Sequence, residues 1–499
     1  MTGLIGKNAE GLKDSQSPRP GKPPKPDSPP PHINVSPNVW VYEGEAYDFT
    51  DFIKKHPGGE FFIGRMRNRD VTTVVNIFHR NPEKVKRRLK QYALGRPATA
   101  EDMHPKYNAP PFLFRPTFDA WRDTPRFQFG DKSQLLDVIR KRLNEPEMVK
   151  KVARMDQLFD GITLILGIFY VLVELLRLGA PAWMPAPLFV PLMVVLRIAL
   201  SGAGHYLIHR PQVGLTKALG QIFDLNYMPM TLVVLDGHTL IHHPYAQSEV
   251  DIKRTVFTGM LELPRFFRVP IHTVHKFGQI FSGMLIRTTE IWALGLKVGI
   301  QDLYGSWEGA VPYILGSYAV RFLLVAEFFA FLIAGDLLTW ILQFAITLWL
   351  SQFMIVASHD FQPDEVDTQS IQQQDWGIFQ IENSYDLTVV GNKYIDCFLS
   401  AGLSPHRVHH VLPHQKSGYA NLASEGIVRE AAAEFGVEWL PPKNFFVDRM
   451  PDLIKIYLLV PSFPARINGH GLWREHFDPI ALRECVTYML KGFKGIGSI

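Results

Sequence analysis

The sequence predicts a mostly α-helical, four-span membrane protein that carries a small α+β unit at its amino terminus and a histidine-rich cap on one membrane face. Three observations lead there. Four apolar runs, at about 157–177, 185–203, 312–333 and 336–357, each approach the ~20 residues that an apolar helix needs to cross a bilayer. A short stretch from residue 38 to 97 mixes strand-like and helix-like patterns with Glu-Gly and Pro-Gly-Gly breaks. Three histidine clusters lie just outside the apolar runs.

Composition narrows the function classes. With 499 residues and 46% hydrophobic side chains, the chain is more than one ordinary domain. Its net charge of +4 is too small and too scattered to serve nucleic acid. The two cysteines, Cys397 and Cys485, supply neither a disulfide framework nor a thiolate metal site, which fits a reducing compartment. Residues 1–37 are crowded with proline and poor in large apolar side chains, so a disordered arm is expected. No apolar core follows Met1, and no cleavable signal peptide is expected.

The first folded unit, 38–97, opens on two short strands around Glu43-Gly44. A short helix then ends at His56-Pro-Gly-Gly, which places His56 on a loop whose glycines let the backbone approach a flat ligand. His79 follows behind the apolar-periodic Val74-Val75-Asn76-Ile77-Phe78. Two histidines on opposing helix-loop elements with apolar walls between them suit bis-imidazole ligation of a haem iron. From Trp40 to about Gly95 the chain resembles the cytochrome b5 family, on Tyr47-Asp48-Phe49, His56-Pro-Gly-Gly-Glu60 and Asp70-Val-Thr. The resemblance implies a b-type haem held by His56 and His79 that shuttles single electrons.

Residues 98–155 read as a proline-punctuated connector and then a charged helical pattern from Ser133 to Arg154, with Leu135, Leu136, Val138, Ile139 and Leu143 on one side. Lys150, Lys151 and Arg154 just ahead of the first apolar run mark the cytosolic edge of a span. Gly179 to Pro185 and Ala334 to Asp336 are tight connections, so the spans pair as hairpins. Arg197, Arg321 and Glu327 lie in or near these runs and are expected to face the protein interior or an interface. An even number of crossings puts the haem unit, residues 204–310 and everything after 358 on one side of the membrane.

All three histidine clusters then share that side. His205 and His209 are spaced i, i+4, as are His238 and His242 with His243 beside them, while His406, His409 and His410 fall at i, i+3 and i+4. His359 emerges where the fourth span ends. These nine neutral nitrogen donors exceed what one four-coordinate ion uses and are enough for two ions of four to five ligands each. Imidazole suits zinc, copper, iron and nickel alike. The fused electron carrier favours two irons that take electrons from the haem and activate O2 against an unreactive C–H bond. Asp236, Asp251 and Asp360 are candidates to fix imidazole tautomers. His272 and His275, spaced i, i+3 without a third donor, are expected to be ordinary polar contacts near the membrane surface, and His414 is a weaker candidate ligand.

From about residue 155 to 445 the chain resembles the integral-membrane fatty acid desaturase family, in its His-x-x-x-His, His-x-x-x-His-His and His-x-x-His-His boxes and in the order span, span, box, box, span, span, box. Asp375-Trp-Gly, the Ser-Ala-Gly-Leu-Ser run from Ser400 and the Val-Leu-Pro run from Val411 are further similar features. The resemblance implies a membrane desaturase domain at 156–445, a cytosolic tail at 446–499, a di-metal histidine cap holding two iron ions beside heme b, and insertion of a double bond into a lipid acyl chain. It implies O2 as oxidant, NADH-cytochrome b5 reductase as electron donor, and an endoplasmic reticulum membrane with haem and di-iron sites facing the cytosol. Front-end members open the third box with Gln where this chain has His406, and their second box leads into a different pattern than His243-Pro-Tyr-Ala-Gln-Ser-Glu-Val-Asp251, so no double-bond position is assigned. A b5-fused lipid hydroxylase, and a non-enzymatic tethered electron carrier with structural zinc, are the alternative readings.

Overall fold

The computed structural model describes residues 38–103, 121, 124–129, 134–210, 233–248, 251, 260–296, 307–359 and 374–493. The amino-terminal arm expected at 1–37 lies outside them. Strands β1 (Trp40–Tyr42) and β2 (Glu45–Tyr47) form an antiparallel hairpin with Trp40 opposite Tyr47, and β3 (Ala93–Pro97) pairs with β2. The turn closes because Glu43 and Gly44 both take positive φ, 49° and 77°, matching the twist of the strands. Helices α1 (Glu60–Arg65), α2 (Thr72–Phe78) and α3 (Pro82–Leu89) pack Met66, Val75 and Leu89 onto Trp40, Phe49 and Ile53. Asn81 caps α3 by accepting from the Lys84 amide at 3.0 Å, with Pro82 in the first helical position.

The charged helix expected over Ser133–Arg154 divides in two. Helix α4 (Leu135–Leu143) buries Leu135, Leu136, Ile139 and Leu143, and ends ahead of Pro146. Proline disfavours helix in the residue before it yet suits the first turn of a new helix. The basic flank therefore belongs to α5 (Pro146–Gly179), which runs unbroken into the first span and is about 51 Å long at 1.5 Å per residue. Helix α6 (Ala186–Leu207) follows, then α7 (Arg268–Leu296), α8 (Trp307–Ile333) and α9 (Leu337–Ala357). Helices α5, α6 and α9, and the Ile314–Ile333 part of α8, are long and apolar enough to cross a membrane. The protein is a multi-pass membrane protein.

Arg197, Arg321 and Glu327 are withdrawn from the lipid-facing surface: both arginines are buried and the Glu327 side chain is nearly so. Arg197 pairs with Glu327 and bonds Gln343 Oε1 at 2.6 Å, while Tyr170 Oη and Trp340 Nε1 donate to Glu327 at 3.1 and 2.6 Å. A charge in a span is tolerable when other helices satisfy it in this way. Helices α10 (Trp376–Glu382), α11 (Lys393–Leu399), α12 (His406–Val411) and α13 (Gly418–Glu434) build the cap, and α14 (Met450–Leu459), α15 (Phe463–Asn468), α16 (Leu472–Phe477) and α17 (Pro479–Phe493) complete the described chain. Leu240, beside the second histidine box, packs into the core of the amino-terminal unit, and Ile77 of that unit packs with α4, α10 and α12.

Candidate haem and metal sites

His56 and His79 face each other across a gap, with ring centroids 6.1 Å apart. Two imidazoles that each place a nitrogen ~2 Å from a shared ion have ring centres roughly 6 Å apart. The tautomers agree with that role. His56 Nδ1 lies 3.0 Å from the Gly59 carbonyl and His79 Nδ1 lies 2.9 Å from the Val75 carbonyl, so both protons sit on Nδ1 and both Nε2 lone pairs are available. Burial lowers both pKa values, that of His56 to about 4, so both rings are neutral ligands at physiological pH. A side chain at Gly58 would put its Cβ 2.8 Å from the His56 ring, which explains the small residue there.

The nine histidines singled out in the boxes and at 359 converge into one buried cluster. His205, His209, His238, His243 and His409 offer nitrogens that all lie within 4.8 Å of one another, and His242, His359 and His410 form a second such set. His406 adjoins that second set, with its Nε2 3.1 Å from His410 Nε2. The division follows from helical rotation. Neighbouring residues on a helix point ~100° apart, so His242 and His243 reach different groups, as do His409 and His410. His205 lies in the last turn of α6 and His209 in the turn just beyond. His238 and His242 lie on a π-helical segment, Val233–His242, and His406, His409 and His410 all fall on α12.

The second group defines its own proton positions. His242 Nδ1 meets the Asp251 carboxylate at 3.0 and 3.1 Å, and His359 Nδ1 the Asn383 carbonyl at 2.8 Å. His406 Nδ1 meets the Ser358 carbonyl at 3.1 Å, and His410 Nδ1 the Gln380 Oε1 at 2.8 Å. All four Nδ1 atoms therefore carry protons, and all four Nε2 atoms present lone pairs to one another. His242 and His359 bring those lone pairs to 3.0 Å. Facing lone pairs repel unless a cation lies between them; donors ~2.1 Å from one ion stand roughly 3.4 Å apart in tetrahedral geometry. In the first group the Nε2 atoms of His205, His238, His243 and His409 approach at 2.7 to 3.1 Å. Burial and neighbouring rings hold the His243 and His410 pKa values well below the usual range, keeping them in the neutral form a metal requires.

Of the acidic candidates, Asp251 touches a histidine of the second group; the Asp236 side chain and Asp360 lie outside what is described. Gln380, Asn383 and Ser358 are partners that spacing could not reveal, because each is brought in from another element. The motif Asp375-Trp-Gly starts α10 and thereby aims Gln380: Asp375 accepts from Ile378 N at 3.1 Å, and Trp376 Nε1 donates to the Pro244 carbonyl at 3.1 Å. His272 and His275 stand apart from both groups, bonding the Tyr488 hydroxyl and carbonyl at 2.8 and 2.7 Å.

The two sites approach through α2. Phe78, next in sequence to His79, stacks on His209 at 6.2 Å between centroids and 21° between planes. Arg140 of α4 donates to the carbonyls of Asn76 and His79, and His414 Nδ1 lies 3.3 Å from the Ile77 carbonyl. These are the carbonyls that the end of a helix leaves without internal partners.

The family described as fatty acid desaturase matches residues 181–441, and the cytochrome b5-like heme/steroid binding domain matches residues 32–98. The chain is 24% identical over 445 residues to the probable Delta(5) fatty acid desaturase C of Dictyostelium discoideum, covering 83% of this chain and 90% of that protein. It is 22% identical over 492 residues to the acyl-lipid (8-3)-desaturase B of the same organism, covering 91% and 94%. A cytochrome b5-related protein of Drosophila virilis is 41% identical over 49 residues, which is 9% of this chain and 34% of that protein. No solved structure matches.

Proposed function

Since the chain belongs to the fatty acid desaturase family, we propose that its nine clustered histidines hold two iron ions that desaturate a lipid acyl chain with electrons from its own haem. The observation that carries this reading is the pairing of two buried histidine groups with the facing rings of His56 and His79, whose neighbour Phe78 lies on His209. The balance is one CH2–CH2 unit, O2, two electrons and two protons converted to one cis or trans CH=CH unit and two waters. Bound iron would supply the O2 chemistry. Zinc, redox-inert, would make no use of an adjoining haem.

The residues have separable tasks in this reading. His205, His209, His238, His243 and His409 hold one ion, and His242, His359, His406 and His410 the other. Asp251, Gln380 and the carbonyls of Ser358 and Asn383 hold Nδ1 protons so that Nε2 faces the metal. Arg140 and His414 hold the end of α2 against the cap, keeping Phe78 on His209 as the short path for each electron. Burial of all nine rings keeps water from a reactive centre. The haem unit spans 38–97, the membrane desaturase domain 156–445, and NADH-cytochrome b5 reductase reduces the haem on the cytosolic face of the endoplasmic reticulum.

Expression in yeast with a panel of saturated and unsaturated acyl substrates, followed by mass spectrometry of the lipids, tests the reading. Products lighter by two hydrogens, with the new double bond mapped, are expected. Products heavier by one oxygen would convert the assignment to a hydroxylase, and zinc as the sole metal beyond haem would remove the redox role altogether.

A further inference from the structure

Large apolar side chains are exposed in some parts of this protein and hidden in others. Among the described side chains of the haem unit, 38–103, Leu94 alone is exposed, and α13 exposes none. These are the surfaces of water-facing elements. The carboxy-terminal helices differ: fifteen large apolar side chains are exposed between Phe446 and Phe493, including Trp473 at 76% and Ile480 at 72%. Those values match the lipid-facing side of α5, where Ile165 is 66% exposed. Contiguous exposure on this scale marks a surface that meets something apolar.

We propose that α14–α17 form an apron that lies in the membrane–water interface, on the side of the histidine cap, with bilayer lipid as its occupant. The inference rests on the multi-pass reading and extends it to a segment that does not cross the bilayer. Continuity with the spans supports it: Leu453 and Tyr457 of α14 pack with Phe353 and Met354 at the cap end of α9. The exposed Trp473 and Phe477 rings are stacked at 5.5 Å, and interfacial belts favour aromatics of this kind.

Charge is arranged to match. Lys455, Arg466, Arg474, Arg483 and Lys491 are interspersed with the exposed apolar residues and outnumber the solvent-accessible acids of the same stretch, Asp452, Asp478 and Glu484, as in helices that lie on lipid head groups. The acid of α16, Glu475, is instead buried, accepting from Arg265 Nε and Nη2 at 2.9 and 2.7 Å and from the Ser462 amide at 2.8 Å. Arg268 donates to the carbonyls of Ile456, Tyr457 and Val460 at 3.0, 3.2 and 2.9 Å, tying α14 to the start of α7. The apron is thus fixed to the membrane domain and turns its apolar side outward.

Spin labelling tests this on the full, haem-loaded protein in nanodiscs of phosphatidylcholine with a minority of phosphatidylserine. Both native cysteines are buried, so W473C and I480C each give one reactive site. L164C on α5 is the lipid reference and E430C on α13 the water reference. Power saturation is expected to shift accessibility at both apron sites toward O2 and away from a nickel chelate, as at L164C. A ratio like that of E430C would overturn the proposal, and low access to both reagents would overturn it in favour of a protein partner. If L164C itself reads as water, the membrane assignment of α5 fails rather than the apron alone.

Discussion

Asp251 and His242 give the plainest case of one residue setting the chemistry of another. The carboxylate accepts the Nδ1 proton at 3.0 Å and so leaves the Nε2 lone pair facing His359, where the proposed metal would bind. The neighbouring ring also holds the Asp251 pKa below the usual carboxylate range despite its burial. Asp251→Ala is expected to weaken one metal site by roughly 10- to 100-fold while the other stays filled. Asp251→Asn is expected to retain more, since an amide oxygen still accepts. Metal titration with iron quantified per haem distinguishes the two. His409→Ala is expected to abolish desaturation and leave the haem spectrum intact, whereas His56→Ala removes the spectrum and the fused electron supply. Full activity in His409→Ala would refute its place as a ligand.

At the scale of elements, two contacts decide whether the sites keep their geometry. The first is α6 against the Ala401-Gly402 turn. A Cβ at Gly202 would come 2.7 Å from Gly402 N and 2.9 Å from the Ala401 carbonyl carbon, both backbone atoms that cannot rotate away. Gly202→Ala is expected to destabilise the protein by about 1–3 kcal/mol and to loosen the His205 and His209 site one turn further along α6. Thermal unfolding and iron content together check it. The second is the clamp on α2. Burial, reinforced by the Arg140 charge, pushes the His414 pKa down to about 3. The folded pKa is depressed, so this contact contributes fully above the ordinary histidine value of ~6.5 and weakens by up to about 1.4 kcal/mol per pH unit as pH falls toward 3. Protection factors of the α2 amides, corrected for the pH dependence of intrinsic exchange, should therefore fall on acidification, less so in His414→Gln, and Arg140→Ala should lower them at neutral pH. The histidine boxes were legible in the sequence because i, i+3 and i+4 spacing is a local property of a helix. Gln380, Asn383, Ser358 and the Arg140 clamp were not, because each partner arrives from a distant element by packing.

Across the whole molecule, four hydrophobic runs and their hairpins were readable, since a bilayer imposes one length on every crossing helix. Helix α7 and the carboxy-terminal helices escaped notice because their apolar residues are diluted by His272, Lys276, Arg466 and Arg474, which leaves composition ambiguous between water, interface and protein interior. Parity of crossings joins the haem unit to the metal cap, so topology is a functional constraint: one span more or fewer would leave the electron source and the metal sites on opposite faces. The connection between α5 and α6 exposes Trp183 at 82% and belongs to the face away from the histidines. In sealed microsomes, a membrane-impermeant maleimide is expected to label Glu430→Cys directly and Trp183→Cys only after detergent, because the native cysteines are buried and silent. Equal labelling of both without detergent would put the hairpin and the cap on the same face. Since the stacking of Phe78 on His209 keeps the haem unit and the cap on one face, that outcome would mean that α5 and α6 do not cross the bilayer.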